Sequence, residues 1–166
     1  MKKRGPCETG FVDAGHDHSH CIARALTQAA DLCRRRGARL TPQRQRVLEI
    51  VWQTHKPVGA YDILHQLRKE MRAEPPTVYR ALEFLRRQGL IHRLVSLNAF
   101  VGCSTPDIPH GAFFLICQRC KAMQPLREES IAPAIRQQAD RQGFAVGQEI
   151  VEILGTCAGC RSTEAS

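Results

Sequence analysis

The stretch that decides the fold spans residues 75–103 and reads PPTVYRALEFLRRQGLIHRLVSLNAFVGC. It opens with two prolines and a threonine, which predict a helix start, because the first turn has no intrahelical N–H bond to lose. Apolar residues then recur at helical spacing until Gly89. Two short apolar runs, 90–95 and 99–103, follow around Ser96-Leu97-Asn98 and predict a β-hairpin. The inward-facing set of the helix is predicted to be Val78, Ala81, Leu82 and Leu85. A helix followed by a hairpin is typical of a winged helix-turn-helix domain.

Three more helices are predicted upstream of this stretch. The first runs from Ile22 to about Arg36, and Gly37 ends it. The second begins at Thr41 as its N-cap, with Pro42 as its first residue. The apolar residues that mark the first helix are Ile22, Leu26, Ala29, Ala30 and Cys33, and those that mark the third are Ile63, Leu64 and Leu67.

The 166 residues are predicted to form two small α+β domains. Residues 1–20 are polar and aperiodic, so we expect a flexible, His-containing tail. Residues 21–103 form the winged-helix domain, residues 104–110 a hinge or linker, and residues 111–166 a small C-terminal α/β domain.

The outward face of the fourth helix carries the predicted DNA contacts. Tyr79 and Arg80 lie in its first two turns, and a recognition helix meets base edges with its N-terminal residues. Arginine can donate two hydrogen bonds to guanine, and a tyrosine ring can pack on thymine methyl groups. The alternative is an ordinary solvated helix face; the hairpin that follows and the basic surroundings favour DNA.

Charge is unevenly distributed along the chain. Residues 1–100 carry 18 Lys and Arg against 9 Asp and Glu, whereas residues 101–166 carry 6 against 7. A basic half can serve solubility alone, but an asymmetry this large favours nucleic acid as its partner.

Two CxxC motifs, at Cys117 and Cys120 and at Cys157 and Cys160, dominate the C-terminal half. The elements predicted around them are strands at 112–116 and 122–126, a helix from Ile131 that stops at Gly143, and a long strand at 144–154. Four thiolates at the ends of such elements can surround zinc tetrahedrally. One CxxC alone would equally suit redox chemistry, and a reversible disulfide is the alternative here. We predict a structural zinc at these four cysteines.

A second metal site is predicted near the junction of the two domains. Cys103 ends the second hairpin strand, His92 lies on the facing strand, and His110 closes the linker. One thiol and two imidazoles suit zinc, a borderline-soft ion. A lone buried cysteine, by contrast, is more often a small apolar residue, as we expect for Cys33.

Several classes of protein are excluded by the sequence. The longest apolar runs fall short of the ~18 residues of a spanning helix, so we expect no membrane association. The basic start is not followed by an apolar segment, so we expect no secretory signal and a reducing cytoplasmic location. No Ser/His/Asp arrangement, P-loop or dinucleotide motif is present, and His110-Gly111-Ala112 lacks the glutamate of the zinc deaminases. We therefore expect no enzyme and no small-molecule substrate.

Four motifs together resemble the ferric uptake regulator superfamily, over about residues 22–160. They are RLTPQR at 39–44, AYD at 60–62, PTVYRAL at 76–82 and the paired CxxC knuckles. Within the superfamily the chain resembles the zinc uptake regulator branch. It has a single histidine, His110, seven residues before Cys117, where the iron sensors carry a cluster of His and Asp.

This resemblance implies a homodimer, held together by the C-terminal domain, that binds double-stranded DNA at an AT-rich palindrome. It implies one structural and one regulatory zinc per subunit, with zinc at His92, Cys103 and His110 acting as corepressor of zinc-uptake genes. The DNA-binding residues it implies are Arg39, Tyr61, Thr77, Tyr79 and Arg80. The alternatives are a sensor of iron, manganese or nickel, or of peroxide through thiol redox chemistry. Cys103 disfavours the metal alternatives, because harder metals prefer nitrogen and oxygen ligands.

The chain departs from the family pattern at two positions. Pro125 stands where the family supplies a glutamate as fourth regulatory ligand, so Glu128, Gln124 or a water remain as candidates. His65 stands where the zinc branch has an aspartate that pairs neighbouring dimers, although Arg68 is present. A further tract, His16–Cys21, can bind zinc weakly or serve only as solvated chain.

Overall fold

The computed structural model describes residues 18–54, 56–107, 111–126 and 131–162. The chain divides into two compact units, Met1–Ile108 and Pro109–Ser166. The elements of the first unit are α1 (His18–Arg35), α2 (Pro42–Trp52), β1 (Val58–Gly59), α3 (Ala60–Arg68), α4 (Pro75–Arg87), β2 (Ile91–Leu94) and β3 (Ala99–Gly102). Those of the second are β4 (Ala112–Cys117), β5 (Met123–Pro125), α5 (Ile131–Arg141), β6 (Ile150–Gly155) and α6 (Ala158–Ser162).

The first unit has the predicted winged helix-turn-helix order, and the α+β class is confirmed. Helix α2 starts as expected, since the Thr41 hydroxyl accepts a hydrogen bond from the Arg44 N–H and Pro42 is the first helical residue. All four residues predicted to face inward on α4 are buried, as are the three predicted on α3. These residues join α1 and α2 in one apolar core.

The wing has one strand more than the predicted hairpin. Val58 and Gly59 form β1 and pair with Phe100 and Ala99, giving the antiparallel order β1-β3-β2. A two-residue strand is too short to show an alternating pattern, so the sequence does not indicate it.

Helix α1 differs from the prediction in its start and its inward face. It begins at His18, so the last three residues of the predicted tail are helical; residues 1–17 lie outside the described part of the chain. Its buried residues are Cys21, Ala25, Ala29, Leu32 and Cys33, whereas Ala30 is exposed. The small residues of the helix face the core, and this allows its backbone to approach closely.

The second unit is a three-stranded sheet with the order β5-β4-β6. Strand β5 is antiparallel to β4, and β6 is parallel to it, after a crossover that contains α5. The predicted strand at 144–154 was too long, because β6 begins only at Ile150. The short helix α6, which starts within the second CxxC motif, was not predicted. Within the described residues, no helix is both long enough and apolar enough to span a membrane.

Glu149 is a buried acidic residue that forms an ion pair within the second unit. It lies just before β6, and its side chain is only 5% exposed. Arg136 of α5 holds it through two hydrogen bonds, Nε–Oε1 at 2.5 Å and Nη2–Oε2 at 3.0 Å. The Glu149 carbonyl accepts the Ala112 N–H at 2.9 Å, so this residue joins α5 to β4 and β6.

We expect Arg136→Met to destabilise the second unit by about 1–3 kcal/mol, because it leaves a buried carboxylate without its charged donor. Denaturant unfolding of the zinc-loaded protein measures this free energy. Adding Glu149→Gln should recover part of the loss, since an amide is cheaper to bury unpaired than a carboxylate. A loss below about 0.5 kcal/mol for Arg136→Met would show that solvent replaces the guanidinium.

Candidate metal sites and nucleic-acid interface

The four CxxC cysteines form one cluster in the second unit. One sulfur atom from each of Cys117, Cys120, Cys157 and Cys160 lies within 4.8 Å of all the others. The Sγ atoms of Cys120 and Cys157 are 3.8 Å apart. A tetrahedral zinc with Zn–S bonds of about 2.3 Å separates its sulfur ligands by about 3.8 Å, so the donor set fits this ion. A disulfide would need about 2.05 Å, and none of the four cysteines is disulfide-bonded.

Strand register explains why these cysteines meet. The parallel pair β4 and β6 places Cys117 beside Gly155, so both knuckles begin at the same end of the sheet. The Gln118 N–H donates to the Gly155 carbonyl at 2.8 Å, which ties the first knuckle to the second strand. Lys121 adopts a left-handed backbone with φ of 61° and turns the chain back into β5.

The electrostatics of the cluster favour a bound cation. Backbone N–H groups, that of Cys157 first and that of Cys120 second, hydrogen-bond to the Cys117 sulfur and hold its pKa below the usual thiol value. The pKa of Cys160 is raised by hydrogen bonds with the Cys157 thiol, by burial and by the neighbouring charge of Cys117. The cluster thus favours a thiolate at Cys117 and disfavours one at Cys160, and a divalent cation would favour the thiolate form of both.

Two of the three predicted regulatory ligands share one face of the wing. His92 of β2 lies opposite Val101 of β3, and Cys103 follows Val101 by two residues on the same face. The Cys103 N–H donates to the Leu90 carbonyl at 2.9 Å, which continues the strand pairing to this residue. His110 lies outside the described residues, so the complete set stays a prediction.

Cys103 is buried, with 4% of its surface exposed. Burial raises the pKa of its thiol to about 11, although hydrogen bonds from the backbone and hydroxyl of Thr105 act in the opposite direction. Ligation therefore requires removal of a proton from a thiol that is neutral at physiological pH.

Trp52 packs against the backbone beside Cys103, a contact that the sequence did not indicate. A Cβ atom on Gly102 would lie only 2.2 Å from the Trp52 ring, so only glycine fits beneath the indole. Trp52 is the single tryptophan of the chain, and its fluorescence therefore reports on this end of β3.

The predicted DNA-contacting tyrosines are exposed at the starts of two helices. Tyr61 of α3 is 79% exposed and Tyr79 of α4 is 52% exposed. Both line a shallow apolar cleft together with Ala60, Leu64, Pro75 and Val78. Two protruding tyrosines that flank apolar side chains have the chemistry to contact thymine methyl groups.

The other predicted DNA contacts are charged and polar residues. Arg80 is exposed and forms no ion pair with any described residue, whereas Arg86 further along α4 is paired with Glu83 at 2.9 Å. Thr77 is half-buried in the first turn of the helix. Arg39 is exposed before α2, and its carbonyl accepts a hydrogen bond from Arg44.

Comparison with known proteins assigns the family. The sequence model described as "Ferric uptake regulator family" matches residues 35–154. The chain belongs to the ferric uptake regulator family. It is 41% identical to the zinc uptake regulation protein of Escherichia coli (strain K12) over 142 residues, covering 84% of this chain and 83% of that protein.

Solved structures of zinc uptake regulators have the same fold. A structure described as a zinc uptake regulator complexed with zinc and DNA is 39% identical, with a TM-score of 0.80 over 87% of this chain and 98% of that chain. The holo form of XcZur is 38% identical, with a TM-score of 0.75 over 82% and 96% of the respective chains.

Two positions distinguish this member from the pattern of the family. Pro125 lies in β5 opposite Phe114, and its side chain has no donor atom for a metal. Of the proposed substitutes, Gln124 is half-buried opposite Leu115, and Glu128 lies outside the described residues. The fourth regulatory ligand therefore stays open.

The second position is His65 on α3, where the resemblance predicts an aspartate that pairs neighbouring dimers. His65 is exposed, and Arg68 is engaged within its own chain. The Arg68 Nε donates to the Ala73 carbonyl at 3.0 Å, and the Arg68 Nη2 lies 3.5 Å from the Glu74 carboxylate. Arg68 thereby contacts the turn that leads into α4.

Proposed function

We propose that this protein is a zinc-responsive transcriptional repressor of zinc-uptake genes, with zinc as its corepressor. Its identity of 39% with a zinc uptake regulator solved with zinc and DNA, over 87% of the chain, carries the proposal. The family consists of transcription regulators, and a winged-helix unit followed by a four-cysteine cluster supports the same role for this chain.

We assign one structural zinc per subunit to Cys117, Cys120, Cys157 and Cys160. Four thiolate ligands fill the tetrahedral coordination sphere of zinc and leave no position open for substrate, which is typical of a structural site. Zinc there supplies a tetrahedral crosslink between the two knuckles. The thiols must stay reduced, a condition that the cytoplasm supplies.

We assign a second, regulatory zinc to His92, Cys103 and His110. The first two residues belong to the wing, and the third lies at the end of the predicted linker, so joint ligation would tie the wing to the segment that leads into the second unit. This tie would restrict the orientations of the two recognition helices in a dimer. Half-site spacing in DNA must match their separation. Without zinc at this site, only a fraction of the protein adopts the arrangement that binds DNA.

Thermodynamic linkage adds a further requirement. Zinc and DNA must strengthen each other's binding by the same factor.

A homodimer on an AT-rich palindrome is the proposed DNA complex, with Arg39, Tyr61, Thr77, Tyr79 and Arg80 as contacts. The exposure of Tyr61, Tyr79 and Arg80 supports this assignment. The second unit exposes several large apolar side chains, which suits it to pairing with another copy. They are Ile131, Ile135, Phe144, Ile150, Ile153 and Leu154.

We expect Arg80→Ala to cost about 1–3 kcal/mol of DNA-binding free energy and to relax base preference at one operator position. Arg87→Ala, at the other end of α4, is the matched control; it should weaken all sequences uniformly and lower the salt dependence by about one phosphate contact. Binding to an operator and to its point variants at two salt concentrations separates the two effects. Equal losses on all sequences for Arg80→Ala would remove it from base recognition.

The decisive experiment titrates DNA binding against buffered free zinc, with iron(II) and manganese(II) in parallel. The probe is the promoter of a zinc-uptake gene, and the protein holds its structural zinc throughout. Tight binding should appear only as free zinc rises. Binding that ignores zinc or follows another metal would refute the assignment of His92, Cys103 and His110, and would leave the fold and the four-cysteine site intact.

A further inference from the structure

Helix α1 holds the segment that follows Cys103. Arg35, in the last turn of α1, forms an ion pair with Asp107, a residue 72 positions further along the chain. Arg24, three turns earlier on the helix, donates from Nη2 to the Ser104 carbonyl at 3.4 Å. Two arginines of one helix therefore contact the first and last residues of the segment 104–107.

Other contacts hold the same segment from the inside. The N–H and hydroxyl of Thr105 hydrogen-bond to the Cys103 sulfur. Pro106 is buried, and its carbonyl oxygen lies near the turn between α4 and β2, where a Cβ atom on Gly89 would be 3.8 Å from it. The sequence had placed residues 104–107 in a hinge, but they pack on the winged-helix unit.

We propose that Arg24 and Arg35 are positioning residues of the zinc sensor, which hold segment 104–107 so that Cys103 is preorganised for metal binding. The proposal rests on the proposed function, because it takes Cys103 as a regulatory ligand. Groups outside the ligand set commonly tune metal affinity by orienting the ligands. No described contact gives either arginine a different task in this unit.

The expected contribution of the Arg35–Asp107 ion pair follows from the solvent exposure of its two side chains. The Arg35 and Asp107 side chains are 60% and 38% exposed, so their attraction is screened by water. Such a pair contributes at most about 1 kcal/mol, which corresponds to about a fivefold change in an equilibrium constant. Reversing one charge adds repulsion, so about fivefold is the expected loss of regulatory zinc affinity in Arg35→Asp.

The chain offers a matched control one residue away. Arg34 is also in the last turn of α1, but it pairs with Asp31 of the same helix rather than with segment 104–107. Arg34→Asp changes the net charge as Arg35→Asp does. The double variant Arg35→Asp with Asp107→Arg restores an ion pair of reversed polarity and serves as the rescue.

Three measurements on the full-length protein with its structural zinc test the proposal. Chelator competition gives the affinity for zinc at the regulatory site, and hydrogen exchange gives the protection of the peptide that covers residues 104–107. DNA binding at saturating zinc gives the affinity of the loaded form. Arg35→Asp should weaken zinc binding about fivefold and speed the exchange, the double variant should restore both, and Arg34→Asp should change neither. DNA affinity at saturating zinc should be equal in Arg35→Asp and Arg34→Asp.

Two outcomes would overturn the proposal. If Arg35→Asp and Arg34→Asp behave alike, or the double variant fails to recover, α1 has only a structural role. If the wild-type protein binds no second zinc, the proposed function falls and takes this proposal with it. The first failure is seen only in the variants and the second in the unaltered protein, so the two are distinguishable.

Discussion

Replacing Cys103 with serine is expected to abolish zinc-dependent DNA binding while leaving a folded protein. A serine hydroxyl stays protonated near neutral pH and cannot replace a thiolate in the regulatory set. Loss of an outer-shell partner already costs 10–100-fold in metal affinity, so loss of the ligand itself should exceed about a hundredfold. The effect on folding should be small, because serine is nearly the same size and Thr105 can still hydrogen-bond to it.

The measurement is DNA binding across a buffered zinc series, with Trp52 fluorescence as a local probe of the same region. Cys33→Ser is the matched control, since Cys33 is likewise a buried cysteine of the winged-helix unit outside any disulfide, with 2% of its surface exposed. It should keep the full zinc response. Normal zinc sensitivity in Cys103→Ser would show that the regulatory ligands lie elsewhere.

The second large effect is expected for Cys117→Ser, which should lose the structural zinc and unfold the second unit. Cys117 is 2% exposed, ends β4 and receives the Cys157 N–H at 3.4 Å, so it couples the two knuckles directly. Structural zinc contributes on the order of 10 kcal/mol to small domains at neutral pH, which exceeds the stability of most domains.

Zinc content by native mass spectrometry and thermal melting of the two units measure this loss. Cys103→Ser should retain one zinc per subunit and melt normally, which separates the structural site from the regulatory one. A Cys117→Ser protein with full zinc content and an unchanged melting temperature would contradict the structural role.

Zinc-dependent binding and thiol redox chemistry make different demands on the same cysteines. A redox sensor would need a disulfide between the knuckles as its signalling state. The four sulfurs instead lie at the spacing of a tetrahedral metal site, and the 41% identity is with a zinc uptake regulation protein. The geometry therefore favours a bound metal over a disulfide at the knuckles, and the kinship favours zinc as the signal.

Local patterns in the sequence were enough for most of the first unit. The inward face of α4, the Thr41 cap and the Pro42 helix start were all confirmed, since each depends on residues within one or two helical turns. Strand β1 and the rotated face of α1 were missed. A two-residue strand exists only through its partner β3, and small residues mark a buried helix face less clearly than large ones do.

Four features were predicted from the sequence alone: the family, the winged helix, the exposed tyrosines and the four clustered cysteines. Motif residues and helical periodicity predict them because both are properties of neighbouring positions. Only the tertiary structure decided that β6 runs parallel to β4 and brings both knuckles to one end of the sheet. It alone showed Trp52 against Gly102, Arg136 on Glu149 and Arg35 on Asp107. These contacts join residues between 13 and 72 positions apart. Such long-range contacts depend on how whole helices and strands pack, and a local sequence pattern does not contain this information.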